Sequence, residues 1–185
     1  MADTSVEYEA KVLDIDPREL AQTILDKGGT AVGSATLQRR FVYDIDPDDR
    51  SRWVRLRDTG RETTLTIKEI ASDDIGGTQE TEIAVSDFDT ANALLGKLGY
   101  RAKAYQENRR ESFLLDGAQL EIDTWPGIPP YLEIEASGRA EVVRVAALLG
   151  YTEDQLTGEN TTKVYTRYGI DLTAITDLRF DTQDE

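Results

Sequence analysis

The stretch Val6-Glu7-Tyr8-Glu9-Ala10-Lys11-Val12 carries its charges on alternate residues. Successive side chains of an extended chain point to opposite faces, so Glu7, Glu9 and Lys11 share one face and Val6, Tyr8, Ala10 and Val12 the other. Two carboxylates leading to one ammonium offer oxygen ligands for a cation and a contact for an anion on a single strand face.

The alternation recurs along the chain. Arg55 and Arg57 alternate with Trp53, Val54 and Leu56; Thr64, Thr66 and Lys68 alternate with Leu65 and Ile67. Glu80 and Glu82 flank Thr81, Glu121 and Asp123 interleave with Leu120 and Ile122, and Glu133 and Glu135 with Leu132 and Ile134. A charged face is ordinary surface in a sheet with one side in water. Here the signs sort by segment. Arg55, Arg57 and Lys68 are cationic strands; Glu7, Glu9, Glu80, Glu82, Asp123, Glu133 and Glu135 are anionic ones, and the two sets neutralise each other if they face one lumen. A closed barrel lined by both signs would bind a polyanion together with its divalent cations.

Composition narrows the chemistry. The 185 residues fit one domain with a sizeable core. A net charge of -15, from 36 acidic against 21 basic residues, disfavours a nucleic-acid backbone binder, which needs clustered cations. With no cysteine and no histidine, disulfides, thiolate sites and imidazole bases are excluded, leaving Asp, Glu, Lys, Arg and Tyr. No apolar run approaches the roughly 20 residues of a spanning helix, and Met1-Ala2-Asp3-Thr4 does not open a signal peptide, so no membrane association and a cytoplasmic location are expected.

Punctuation residues set the elements. Asp16-Pro17 starts a helix with Leu20, Ile24 and Leu25 as its stripe and Gly28-Gly29 as its stop. Residues 31–46 read as one long or bent extended segment. Residues 52–57 and 63–70 form a hairpin around Asp58-Thr59-Gly60. A loop at 72–77 precedes the Glu80 strand. Asp87 caps a second helix with Ala91, Leu94, Leu95 and Leu98 on its apolar side, stopped by Gly99. Strands over 100–115, 118–125 and 131–136 follow, then helices at 139–149 and 161–168. The endings Leu98-Gly99-Tyr100 and Leu149-Gly150-Tyr151 look alike. Residues 177–185, with Asp177, Asp181, Asp184 and Glu185, read as a solvated acidic tail after a domain spanning 1–176.

Glu7-Tyr8-Glu9-Ala10-Lys11 resembles the Glu-x-Glu-x-Lys signature of the CYTH family, the triphosphate tunnel metalloenzymes. The likeness continues through Arg39, Tyr43-Asp44, Trp53-Val54-Arg55-Leu56-Arg57, Lys68, Glu80 with Glu82, Arg110, Asp123, Glu133-Ile134-Glu135 and Lys163. The family includes class IV adenylyl cyclases, thiamine-triphosphatases and inorganic tripolyphosphatases. The resemblance implies an α+β fold, an eight-stranded antiparallel β-barrel with helices packed outside, activated by Mg²⁺ or Mn²⁺. Two departures stand out: Asn108 occupies a position where many members have a lysine, and the histidine motif of the cyclase branch is absent.

On this footing Lys11, Arg39, Arg55, Arg57, Lys68, Arg110 and Lys163 are the expected contacts to a small-molecule triphosphate. Glu7, Glu9, Glu82, Asp123, Glu133 and Glu135 are the candidate metal ligands, with Glu80 expected as a solvated strand residue. Glu133 or Glu135 is expected to orient the attacking water. An alternative from the thiamine-triphosphatase branch pairs Tyr43 with Lys68. Trp53 and Trp125 are expected as core or tunnel-mouth packing. The expected activity is hydrolysis of inorganic triphosphate or a related organic triphosphate by a monomer or homodimer. The alternatives are conversion of ATP to cyclic AMP and non-catalytic polyphosphate binding.

Overall fold

A computed structural model of the chain describes residues 4–181. In chain order its elements are β1 (Thr4–Val12), α1 (Pro17–Asp26), β2 (Thr30–Ala31), β3 (Thr36–Asp46), β4 (Asp49–Asp58), β5 (Thr63–Ile70), β6 (Thr78–Val85), α2 (Phe88–Lys97), β7 (Ala102–Leu115), β8 (Ala118–Thr124), β9 (Tyr131–Ala136), α3 (Arg139–Leu148), α4 (Thr161–Arg167) and β10 (Asp177–Leu178). The order β7-β3-β4-β5-β6-β1-β9-β8 returns to β7 through the β7–β8 ladder, closing an eight-stranded antiparallel barrel. Closure leaves no free barrel edge.

Local signals account for the helices. The Asp16 side chain accepts from the backbone N–H groups of Arg18 and Glu19, with Pro17 opening α1; Asp87 accepts from Thr90 N–H at the start of α2. The resemblance between the two helix endings is a shared stop. Gly99 and Gly150 take φ +97° and +94°, and the N–H groups of Tyr100 and Tyr151 reach back to Leu95 and Ala146 carbonyls.

The apolar face of the strands points outward and is covered by helices. Ala10, Val12, Leu120, Ile122, Leu132 and Ile134 pack with Leu20 and Ile24 of α1 and Val142, Val145 and Ala146 of α3. Tyr43, Val54 and Leu56 pack with Phe88 and Leu95 of α2. A third cluster lies at the lumen wall instead of the outer face, joining Trp125, Ile128 and Tyr131 to Val164 and Tyr165 of α4 and to Leu172 and Leu178, with Trp125, Tyr131 and Leu172 lining the cavity. Each fully covered side chain contributes about 1.5–3 kcal/mol of burial. The charged faces are left to the lumen.

Three sequence-level expectations are corrected. Residues 31–46 divide into β2 and β3, which both pair with β7. On α2 the buried residues are Phe88 and Leu95, whereas Leu94 and Leu98 are 59% and 67% exposed, because the sheet meets the stripe through 88, 91 and 95. The segment expected as a solvated tail begins with β10, which pairs parallel with β7 and buries Leu178. Residues 1–3 and 182–185, on which the leader and acidic-tail readings also fall, lie outside the described residues. Among the described residues no helix is long and apolar enough to cross a membrane.

Candidate active site in the barrel lumen

The lumen forms a cavity of about 1210 Å³ lined by charged side chains from every barrel strand. Strand parity decides the lining. On β1 the odd residues Glu7, Glu9 and Lys11 face in, and on β4 Trp53, Arg55 and Arg57 do so. Lys68, Glu80, Glu82, Arg110, Glu133 and Glu135 join them from β5, β6, β7 and β9.

One side of the lumen is cationic. Arg55 Nη2 lies 3.3 Å from Glu80 Oε1 and 3.6 Å from Glu82 Oε2, and Arg57 Nη2 lies 3.8 Å from Glu82 Oε2. Arg40 joins this group from β3, where its Cα pairs with that of Arg57. The Nε atoms of Arg40, Arg55 and Arg57 are buried without a hydrogen-bond partner. For Arg57, repulsion by Arg55, then burial and Arg110, pulls the guanidinium pKa to about 9; for Arg40, burial and then Arg55, Arg57 and Arg110 pull it to about 9 as well. Guanidinium groups hardly release a proton in proteins, so the depression reflects the cost of burying these like charges side by side. An anion would relieve it.

The other side is a lattice of lysines and carboxylates. Lys68 Nζ lies 2.5 Å from Glu80 Oε1 and 3.1 Å from Glu7 Oε2; Lys11 Nζ lies 2.9 Å from Glu9 Oε1 and 3.2 Å from Glu133 Oε2. Burial lowers the Lys68 pKa, and Arg55 adds to it. Burial would lower Lys11 too, but Glu133 and Glu9 outweigh it and hold its pKa well above the ordinary value. Burial would raise Glu133, yet Lys11 and Arg110 hold it well below the carboxylate range.

Asp123 is fully buried and engaged on both oxygens. Arg110 donates through Nε to Oδ1 at 2.8 Å and through Nη2 to Oδ2 at 2.6 Å, and Asn108 Nδ2 donates to Oδ1 at 2.8 Å. Arg110 also contacts Glu121 and Glu133.

Glu7, Glu9, Glu133 and Glu135 come from the adjacent strands β1 and β9, where Glu9 and Glu135 are Cα partners. Among the described residues no three acidic side chains already converge on a point that would hold a metal ion. Glu7, Glu9 and Glu133 turn instead to the lysines. Burial, with the carboxylates of Glu7, Glu133 and Glu9, raises the Glu135 pKa to about 7. An all-oxygen donor set under this excess of negative charge fits a hard divalent cation, with Glu7, Glu9 and Glu135 as the side chains that would hold it. Asp123 and Glu82 stand elsewhere, Asp123 clasped by Arg110 and Glu82 accepting from Thr66 Oγ1 at 2.5 Å.

The structure gathers Lys11, Arg55, Arg57, Lys68 and Arg110 around this lumen, and Lys163 of α4 at its wall, ion-paired with Asp73. It does not bring Arg39 or Tyr43 there. Arg39 lies on the outer face, 3.0 Å from Asp58 Oδ2 and over the Phe88 ring. Tyr43 is buried under α2 and its hydroxyl donates to Asn92 at 2.8 Å, on the opposite face of the sheet from Lys68. Glu80, expected in solvent, is 9% exposed and bound to Lys68 and Arg55. Sequence reading missed Arg40 and Gln38, which line the cavity, and noted Asn108 only as a departure from the family pattern. The signal was parity: Arg39 shares its face with Phe41 and Tyr43, so its neighbour Arg40 faces in.

The model of the CYTH domain matches residues 5–164 of the sequence. No curated protein matches the chain. Among solved structures, a conserved hypothetical protein from Pyrococcus furiosus is 23% identical with a TM-score of 0.72, over 84% of this chain and 97% of that one. A protein from Vibrio parahaemolyticus, described as a candidate adenylate cyclase, is 14% identical with a TM-score of 0.74, over 88% and 98%. A Hippeastrum protein, described as a candidate adenylyl cyclase with a dominant triphosphatase activity, is 18% identical with a TM-score of 0.56, over 88% and 96%. At these identities the likeness is one of fold.

Proposed function

Because the chain belongs to the CYTH-domain family, we propose that it is a divalent-metal-dependent hydrolase of inorganic triphosphate or a related organic triphosphate. The observation that carries this reading is the trio Arg40, Arg55 and Arg57, buried, mutually repelling and each with an unpartnered Nε, opposite a carboxylate cluster. A linear triphosphate supplies the missing acceptors and the compensating charge. Lys68 and Lys11 add point charges, and Arg110 is held in place by Asp123. Mg²⁺ or Mn²⁺ at the Glu7, Glu9 and Glu135 side would supply charge neutralisation and lower the pKa of bound water. Glu135, with its raised pKa, and Glu133 are the carboxylates set to orient or deprotonate the attacking water. Catalysis of this kind rests on positioning and electrostatics.

The enzyme acts on a small soluble substrate, as a monomer or homodimer in the cytoplasm, with no role for nucleic acid. Trp53, Val42 and Ala104 form an apolar stretch of the lumen wall that leaves room for an organic group on the triphosphate. Cyclisation of ATP to cyclic AMP is therefore tested beside hydrolysis. Phosphate release from tripolyphosphate with Mg²⁺, and no cyclic AMP from ATP, supports the hydrolase; cyclic AMP with pyrophosphate supports the cyclase. Tight binding without either product would leave a binding module.

A further inference from the structure

The barrel wall is closed along β7 by two unlike devices. On the edge of β7 away from β3, the antiparallel β8 ladder runs from Arg109 to Leu115 and stops there. Below it, among the described residues, that edge is taken by β10, which pairs parallel at Tyr105 and Gln106, with the Tyr105 N–H donating to the Thr176 carbonyl at 2.9 Å. Residues 175–181 thus form a strap across the part of the wall that β8 leaves open. The opposite edge of β7 is held by β3 along Ala102 to Arg110.

Much of what holds the strap lies on its outer side. The Arg179 guanidinium sits 3.9 Å from the Tyr105 ring centre and 3.8 Å from Glu107 Oε1, and that of Arg109 sits 4.4 Å from the Phe180 ring centre. The Arg179 side chain is 53% exposed, so water and salt weaken its contacts. Leu178 is buried in the Trp125 cluster, and Ile175 packs against it partly buried. The turn before the strap is anchored: the Asp171 side chain accepts from the Thr173 N–H, and Leu172 is buried in the same cluster. A segment with so little pairing and burial opens at lower free energy than the ladders beside it.

On the inner side Thr173 and Ile175 line the cavity, as do Ala104 and Gln106 of β7. These four side chains are uncharged, unlike the guanidinium and carboxylate lining of the rest of the lumen. Resting on the triphosphate reading, we propose that residues 175–181 are a side gate: the strap swings off β7 about the turn at 172–174, opens a slot into the lumen beside Ala104 and Gln106, and clasps again over a bound ligand. Opening elsewhere along the barrel would break an antiparallel ladder. A ligand entering here passes neutral side chains instead of threading the charged lumen lengthwise.

Hydrogen exchange of the unmodified protein tests the opening without a ligand. The Tyr105 amide should exchange at least about tenfold faster than the β7 amides held in the β8 ladder, and equal protection overturns the gate. The chain has no cysteine, so Tyr105→Cys with Asp177→Cys, at Cα partners of the β7–β10 pairing, locks the strap by one disulfide. Stopped-flow mixing with tripolyphosphate in metal-free buffer, followed by the emission of Trp53 and Trp125 at the cavity wall, compares the oxidised and reduced forms. The lock should slow association and dissociation alike by at least about tenfold and leave Kd within about twofold, because a gate changes rates and not the bound state. Equal rates in the two forms, or a changed Kd at unchanged rates, would make the strap a plain wall and overturn the gate. Where the thiols do not pair or the emission stays silent, the hydrogen-exchange result decides. A Tyr105 amide that exchanges fast in a protein binding no tripolyphosphate would overturn the triphosphate reading and leave the gate standing.

Discussion

The ammonium of Lys68 on β5 lies 3.1 Å from a carboxylate oxygen of Glu7 on β1, although β6 runs between the two strands. Side chains two strands apart meet on this face because the sheet curls inward there, so this contact registers the curvature that the β7–β8 ladder completes into a barrel. The same ammonium reaches Glu80, making Lys68 the link between the guanidinium side and the carboxylate side.

Removing that link should be costly for turnover. Lys68→Ala is expected to lower kcat/KM for tripolyphosphate by about a hundredfold, the usual scale for losing one preorganised charge-stabilising group. Arg57→Ala should do the same. Steady-state phosphate release checks both, and wild-type rates in either variant would remove that residue from the site.

Glu80 acts on the fold and the ligand in opposite directions. Its carboxylate is an internal counter-ion for Lys68 and Arg55, so Glu80→Gln leaves two buried cations short of an anion. We expect a stability loss of about 3 kcal/mol by denaturant unfolding. Tripolyphosphate, taking over the vacated role, should bind more tightly than to the unmodified protein. Unchanged stability would contradict the buried pair.

Tyr43→Phe should leave turnover intact. The hydroxyl serves Asn92 of α2 on the outside of the barrel, so its loss is expected to cost about 1 kcal/mol of stability. A large drop in kcat would mean that the tyrosine reaches the lumen during turnover.

Glu135 gives a pH signature. Burial and the neighbouring Glu7, Glu133 and Glu9 raise its pKa from 4.5 to about 7. Between those values the folded chain keeps a proton that the unfolded chain has lost, so this group's contribution to stability falls as pH rises through the window. Glu135→Gln cannot ionise. In metal-free buffer its melting temperature should rise relative to the unmodified protein as pH climbs from about 5 to about 7.5, and a pH-independent difference would contradict the crowding. Added Mg²⁺ should narrow the gap at the higher pH by stabilising the ionised carboxylate.

The fold was legible because alternation is a local property. Glu7, Glu9 and Lys11, or Glu133 and Glu135, declare their common face within a few residues, and segment-wise sorting of sign pointed to a charged interior. The misreadings arose where a local pattern had two solutions. Arg39 and Arg40 are adjacent, and only the α2 helix packed over Phe41 and Tyr43 decides which arginine turns inward. Glu80 looked like surface because its partners, Lys68 and Arg55, come from other strands. On α2 the leucines at 94 and 98 suggested a stripe that the sheet does not meet. The docking of Leu178 into the Trp125 cluster depends on contacts far apart in sequence, and no local spacing encodes it.

The most direct test of the central claim is a crystal structure of the protein with tripolyphosphate. The account predicts a phosphate chain inside the barrel, with oxygens at hydrogen-bond distance from Arg40, Arg55 and Arg57 and with Lys68 alongside. A phosphate chain bound on the outer surface, with those guanidinium groups still unpartnered, would contradict it.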